Sequence, residues 1–260
     1  MKEVVLGYGV EALSIEACVE SLFSTVQGAD VRRCAWLACL NPHSYAVALD
    51  DPTFSRALHA ADWLIPDGAG VVLASRLQGG RITERVTGSD VFFGLHRRMT
   101  AAGGMSVFFL GATEETLAAI RARMAVDHPE IRVAGTYSPP FKPEYSAEDN
   151  NAMIAAINAS KADVLWVGMT APKQEKWIFE NRARLNAARP VSSACTPRRA
   201  SCVAATASSA STTSTTTTTF ASSTPAWPAW PGQGDFRFIE MDIADRVAMA
   251  RCLPTKVSSA

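Results

Sequence analysis

The segments MSVFFLGATEETLAAIRARM (residues 105–124) and ADVLWVGMTAPKQEKWIFENRARL (162–185) decide the fold. Each opens with a short apolar run, turns at a glycine (Gly111 or Gly168) and continues with the spacing of an amphipathic helix. Strands that are apolar throughout, rather than at alternate positions, belong to a parallel sheet covered on both faces. The same alternation extends over residues 1–190, with strands expected at 33–40, 63–65, 105–110, 131–134 and 163–167. Helices are expected at 15–25, from 44 to 50 or beyond, and at 69–77, 89–102, 114–127, 147–159 and 172–187. Thr113 stands where it can cap the helix after it, and Pro172 where a first-turn proline is tolerated. The fold class is therefore α/β, a Rossmann-like parallel sheet flanked by helices.

Composition narrows the partners. The 260 residues carry 25 Lys+Arg and 25 Asp+Glu, which removes the broad electrostatic case for nucleic acid. Hydrophobic residues make up 48%, enough for a buried core, yet no run of 18 apolar residues is present to span a bilayer. The start, MKEVVLGYGVEALS, lacks the basic head and apolar stretch of a signal peptide, so a cytoplasmic location is expected. The six cysteines (Cys18, Cys34, Cys39, Cys195, Cys202, Cys252) show no CxxC and no Cys/His spacing, and neither zinc nor a disulfide framework is expected.

Several residues at strand ends suit chemistry. Asp67 follows WLIP and precedes Gly68-Ala69-Gly70, where glycines let a substrate near the backbone; it suits a general base, although composition alone favours a helix N-cap. Asn41 reads as a cap with Pro42 in the first turn, and His43 as a loop histidine. Around Gly88, Arg85, Thr87 and Asp90 offer either a diphosphate or sugar contact or a capped helix start beside a solvated arginine. Lys173 and Gln174 stand in the first turn of a helix, where a cation opposes the dipole and a bound anion would justify it. The Gly111 and Gly168 turns are the natural place for a phosphate-bearing ligand. With no G-x-G-x-x-G, P-loop, HExxH, GxSxG or D-x-D, nucleotide chemistry is expected to proceed without a metal or cofactor.

Taken in order, LNPHSYAVALDDPTF (40–54), ADWLIPDGAGVVLASR (61–76), ERVTGSDVF (84–92), VFFLGA (107–112), YSPPF (137–141) and VGMTAPKQEKWI (167–178) resemble the WecG/TagA/CpsF family of bacterial glycosyltransferases. The likeness covers residues 1 to about 188. It implies transfer of a sugar from a UDP-sugar, N-acetylmannosamine or glucose, to a polyprenyl-diphosphate-linked acceptor at the cytoplasmic membrane face. The LNPHS form resembles the exopolysaccharide branch that uses UDP-glucose. An inverting, metal-independent transfer follows from the resemblance, with Asp67 as catalytic base. Asn41, Arg85, Thr87, Asp90 and Gln174 would then contact substrate, and Gly111, Gly168 and Lys173 the nucleotide. One position departs: Cys39 stands where the family usually has threonine, and a thiol is a poorer donor.

Beyond residue 188 the resemblance ends, and the family's next strand and arginine-rich tail are not matched. From Val191 to Pro231, 32 of 41 residues are Ser, Thr, Ala or Pro, too few large aliphatic groups to offset ordering, so residues 189–233 are expected to be disordered. A mucin-like stalk is one reading of such a tract. An out-of-phase translation is another: with suitable codons, residues 203–220 read RGDGVVGIDNINDYYDV in an alternative frame. GDFRFIEMDIADRVAMA (234–250), within the last segment 234–260, resembles a strand region of nucleotide-sugar epimerases. The alternatives to a transferase are therefore an inactive remnant and an epimerase. The missing glycine fingerprint and Tyr-x-x-x-Lys pair argue against the latter.

Overall fold

The computed structural model describes residues 1–28 and 34–185 together with the backbone of 189–192. The Ser/Thr/Ala/Pro-rich tract beyond Ser192 and the epimerase-like fragment lie outside the described residues.

Six strands form one all-parallel sheet in the order β4-β3-β8-β7-β5-β6. They are β3 (Leu37–Leu40), β4 (Trp63–Pro66), β5 (Ser106–Gly111), β6 (Arg132–Tyr137), β7 (Val164–Gly168) and β8 (Arg189–Ser192). The helices are α1 (Ile15–Gln27), α2 (Pro42–Asp50), α3 (Pro52–His59), α4 (Ala69–Leu77), α5 (Gly88–Ala102), α6 (Glu114–Asp127), α7 (Ala147–Ser160) and α8 (Lys173–Asn181). Successive strand residues point to opposite faces, and both faces are covered. Ala38, Leu40, Phe108, Leu110, Leu165 and Val167 pack in one cluster with residues of α2, α3, α4, α7 and α8. Leu37, Cys39, Val107, Phe109, Val164 and Trp166 pack in the other with α1, α5 and α6. This is why the strands read as continuous apolar runs.

Besides strand ends, which shift at β3 and β6, the structure differs from the sequence reading in four places. A hairpin, β1 (Lys2–Val5) and β2 (Tyr8–Glu11), precedes the sheet; its two-residue turn holds Leu6 at φ 52° and Gly7 at φ 87°. Both positive φ values belong to the primed turns whose twist matches a hairpin. Asp51-Pro52 divides the helix expected from residue 44 into α2 and α3. The Asp51 carboxylate accepts from the N–H groups of Thr53 (3.0 Å) and Phe54 (2.9 Å) and pairs with Lys176 of α8 at 2.8 Å. The last long helix ends at Asn181 in a 3₁₀ turn, Arg182–Arg184, rather than running to 187. Finally, β8 falls within the segment assigned by sequence to the tail, and it pairs with β3 on one side and β7 on the other. Pro190 supplies no N–H there, an uncommon trait in a central strand.

One buried group links this core to pH. His96 on α5 is fully buried, with ring centroids 4.1 Å from Phe92, 5.2 Å from His128 and 5.3 Å from Trp166. Burial, reinforced by His128, lowers its pKa to about 3. The folded protein keeps His96 neutral, whereas the unfolded chain protonates it below about 6.5. Stability present above that pH is therefore lost progressively as pH falls toward 3. Urea titrations at pH 6.5 and 5 are expected to show the native protein losing about 2 kcal/mol more than His96→Leu over this interval.

Candidate active site

All six strands end on one side, and the chain enters a helix directly after β3, β4, β5 and β7, and through a longer loop after β6. Ligands of open parallel sheets lie outside these carboxyl ends. The Asn41 side chain accepts from Ser44 N–H at 2.8 Å while Ser44 Oγ accepts from Asn41 N–H at 2.8 Å, a complete capping box for α2. The capping expected of Asn41 is present, and half of its amide is committed to it.

Asp67 continues the ladder past β4, donating its N–H to Leu40 O at 2.8 Å, and its residue is half-buried. The N-cap position of α4 is held by Gly68 rather than by Asp67, which precedes it. The neighbouring glycines also serve packing. A Cβ on Gly70 would stand 2.7 Å from Pro42 Cγ, and one on Gly68 3.0 Å from Pro42 Cδ. They let the start of α4 lie on the start of α2, which draws Asp67 toward Asn41.

The 84–90 segment is drawn in by Val86, whose N–H donates to Pro66 O at 3.1 Å, so Arg85 and Asp67 flank the same strand end. Arg85 is exposed. Thr87 and Asp90 bond to each other: Asp90 N–H donates to Thr87 Oγ1 at 3.1 Å, and Asp90 Oδ2 accepts from Thr87 N–H (2.9 Å) and Oγ1 (2.7 Å). That is the capped helix start with a solvated arginine. Cys39 is buried in the core cluster of α1, α5 and α6.

On the other side, Gly111 and Gly168 are register partners across β5 and β7. Gly111 takes φ +111°, and a Cβ there would meet Gly168 O at 2.4 Å, so only glycine fits. Lys173 opens α8, but its N–H already donates to Thr170 O at 2.9 Å. Its ammonium donates to Lys142 O and stands 3.8 Å from the Tyr145 ring centroid. Burial, then the nearby Lys142 charge, lowers its pKa. Gln174 is fully buried, with Nε2 donating to Glu175 Oε1 at 2.8 Å. The fold thus gathers Asn41, Asp67 and Arg85 at the β3–β4 ends and Gly111, Gly168 and Lys173 at the β5–β7 ends. Gln174 turns inward. Sequence reasoning gave no role to Ser138, Lys142 or Tyr145, although the YSPPF motif was the signal. Among the described residues no group of three or more His, Cys, Asp or Glu is placed to hold a metal, and no helix is long and apolar enough to cross a membrane.

The glycosyl transferase WecG/TagA/CpsF family profile matches residues 3–195, and the chain belongs to that family. A protein of Bacillus spizizenii named N-acetylglucosaminyldiphosphoundecaprenol N-acetyl-beta-D-mannosaminyltransferase is 31% identical over 153 residues, 59% of this chain and 57% of that one. Proteins of the same name from Bacillus subtilis and Staphylococcus aureus are 28% and 26% identical, over 57% and 55% of this chain and 55% and 54% of theirs. The chain spans little more than half the length of these relatives.

The Gly111–Gly168 contact yields a direct test. Gly111→Ala combines a disfavoured φ with a backbone clash and is expected to cost about 2–4 kcal/mol in urea denaturation. An unchanged midpoint would show that the two turns are not in contact.

Proposed function

We propose that this chain moves a sugar from a UDP-sugar to a polyprenyl-diphosphate-linked acceptor in the synthesis of a bacterial surface or exopolysaccharide. The observation that carries the reading is the place of Asp67: a carboxylate that follows β4, its N–H bonded to Leu40 O next to Asn41, at the strand end to which Val86, next to Arg85, also bonds. In the proposed step Asp67 takes the proton of the acceptor hydroxyl as that oxygen attacks the anomeric carbon. The new C–O bond forms as the bond to the UDP diphosphate breaks, with inversion, and UDP leaves with the electron pair. The turns at Gly111 and Gly168 precede helices whose N-terminal dipoles favour the charge that develops on the diphosphate. Arg85, exposed beside Asp67, is assigned to the acceptor or donor phosphates.

The relatives' names support a lipid-linked N-acetylglucosaminyl acceptor and an N-acetylmannosaminyl donor group. The LNPHS motif favours glucose instead, so the two UDP-sugars are the donors to compare. A lipid-linked acceptor implies peripheral contact with the cytoplasmic face of the membrane. We assign the chemistry to the α/β domain read over residues 1 to about 188, and no metal or cofactor to the transfer.

Release of UDP from UDP-N-acetylmannosamine and from UDP-glucose, with a lipid-linked N-acetylglucosamine acceptor, tests this reading. Asp67→Asn is expected to lower turnover at least about tenfold with an unchanged melting temperature. Equal rates would remove Asp67 from the mechanism. Wild-type protein that shows no thermal shift with UDP and releases none would reject the transferase reading altogether.

A further inference from the structure

The loop at 138–145, between β6 and α7, is tied down by groups that come from the two turns just described. At its start, Ser138 Oγ donates to Ala112 O, next to Gly111, at 2.8 Å. At its far end, Tyr145 OH donates to Met169 Sδ, next to Gly168, at 3.8 Å. Between them, Lys173 donates to Lys142 O and lies over the Tyr145 ring, while the Lys142 ammonium pairs with Asp149 of α7. Pro139 and Pro140 restrict the backbone in between, which lowers the entropic cost of holding one shape. Phe141 is nevertheless fully exposed.

A lysine engaged by a carbonyl and an aromatic face has exchanged its hydration for those two partners. It is poorly placed to act also as a point charge for a phosphate. We propose that Lys173 is a positioning residue that locks the 138–145 loop over the carboxyl ends of β5, β6 and β7, so that the loop forms a wall of the nucleotide-diphosphate side of the site. The wall rests on the transferase reading; the lock does not. Both turns that border the expected diphosphate hold this loop, so its position and that of the bound nucleotide are coupled. Lys173 enters binding through the loop, and Tyr145 is its partner in doing so.

The test uses the full chain with UDP as the probe. Lys173→Met is expected to weaken UDP binding by calorimetry about fivefold, because the loop must then be ordered on binding. The donor KM should rise more than kcat falls. Chymotryptic cleavage after Phe141 should quicken about tenfold as the loop opens more often. Tyr145→Leu should reproduce both effects, the double variant should be no worse than either single one, and Lys173→Arg should restore them. Lys173→Met that weakens UDP binding while Tyr145→Leu binds normally and both resist cleavage would make Lys173 a direct phosphate ligand and overturn the proposal. Wild-type protein that binds UDP, with variants that bind it equally well, would overturn the wall. Wild-type protein that does not bind UDP would instead reject the transferase reading, leaving the cleavage rates to decide the lock.

Discussion

Parallel strands cannot leave a face in water, and that constraint organises this molecule. Every apolar side chain of β3, β5 and β7 must be matched by a helix on one side or the other, and the two apolar clusters do this residue by residue. Because consecutive parallel strands need crossovers, each strand's carboxyl end becomes the start of a connection, and those connections lie side by side. The clustering of Asn41, Asp67, Gly111 and Gly168 is a consequence of sheet direction before it is a matter of chemistry.

Within that frame, local hydrogen bonds decide which polar side chains remain for a substrate. Asn41, Thr87, Thr113 and Ser146 each cap a helix, and in three of the four cases the residue three positions on completes a box. Residues of one motif are thereby split between two purposes. In the 84–92 segment Arg85 faces solvent while Thr87 and Asp90 close on each other. In PKQE, Lys173 reaches across to another loop while Gln174 points into the core. The α4 and α8 starts are different, since neither has a side-chain cap.

The same contrast explains what the sequence made legible. The two βα units were plain because all their cues are local: an apolar run, a glycine and a helical period. The β1–β2 hairpin was not, because its turn puts Leu6 at positive φ without the Asn-Gly or Asp-Gly signal. The division of α2 from α3 rests on Asp51, whose value as a cap depends on a local cue and whose ion pair with Lys176 depends on a distant one. Strand β6 runs on to Tyr137 through Gly135 and Thr136, small and polar residues that hide its length. Strand β8 is hidden by a proline and by the biased composition that begins beside it. At the site, Asp67, Asn41 and Arg85 could be placed from strand ends, but the partners of Lys173 lie some 30 residues earlier in the chain, and no spacing rule reaches them.

The charge balance of the chain can also be seen differently. Counting ionised side chains yields zero, yet the peptide groups add a polarity that such counting omits. Helices α2, α4, α6, α7 and α8 each begin on the side where the strands end, so their N-terminal partial charges share one face. An electrically neutral polypeptide can in this way present a positive field to a visiting anion without concentrating lysine or arginine there. Such a field comes from backbone direction and persists through any surface substitution that leaves the helices in place. Selectivity among anions then falls to the few side chains that rim the face, and attraction itself belongs to the architecture.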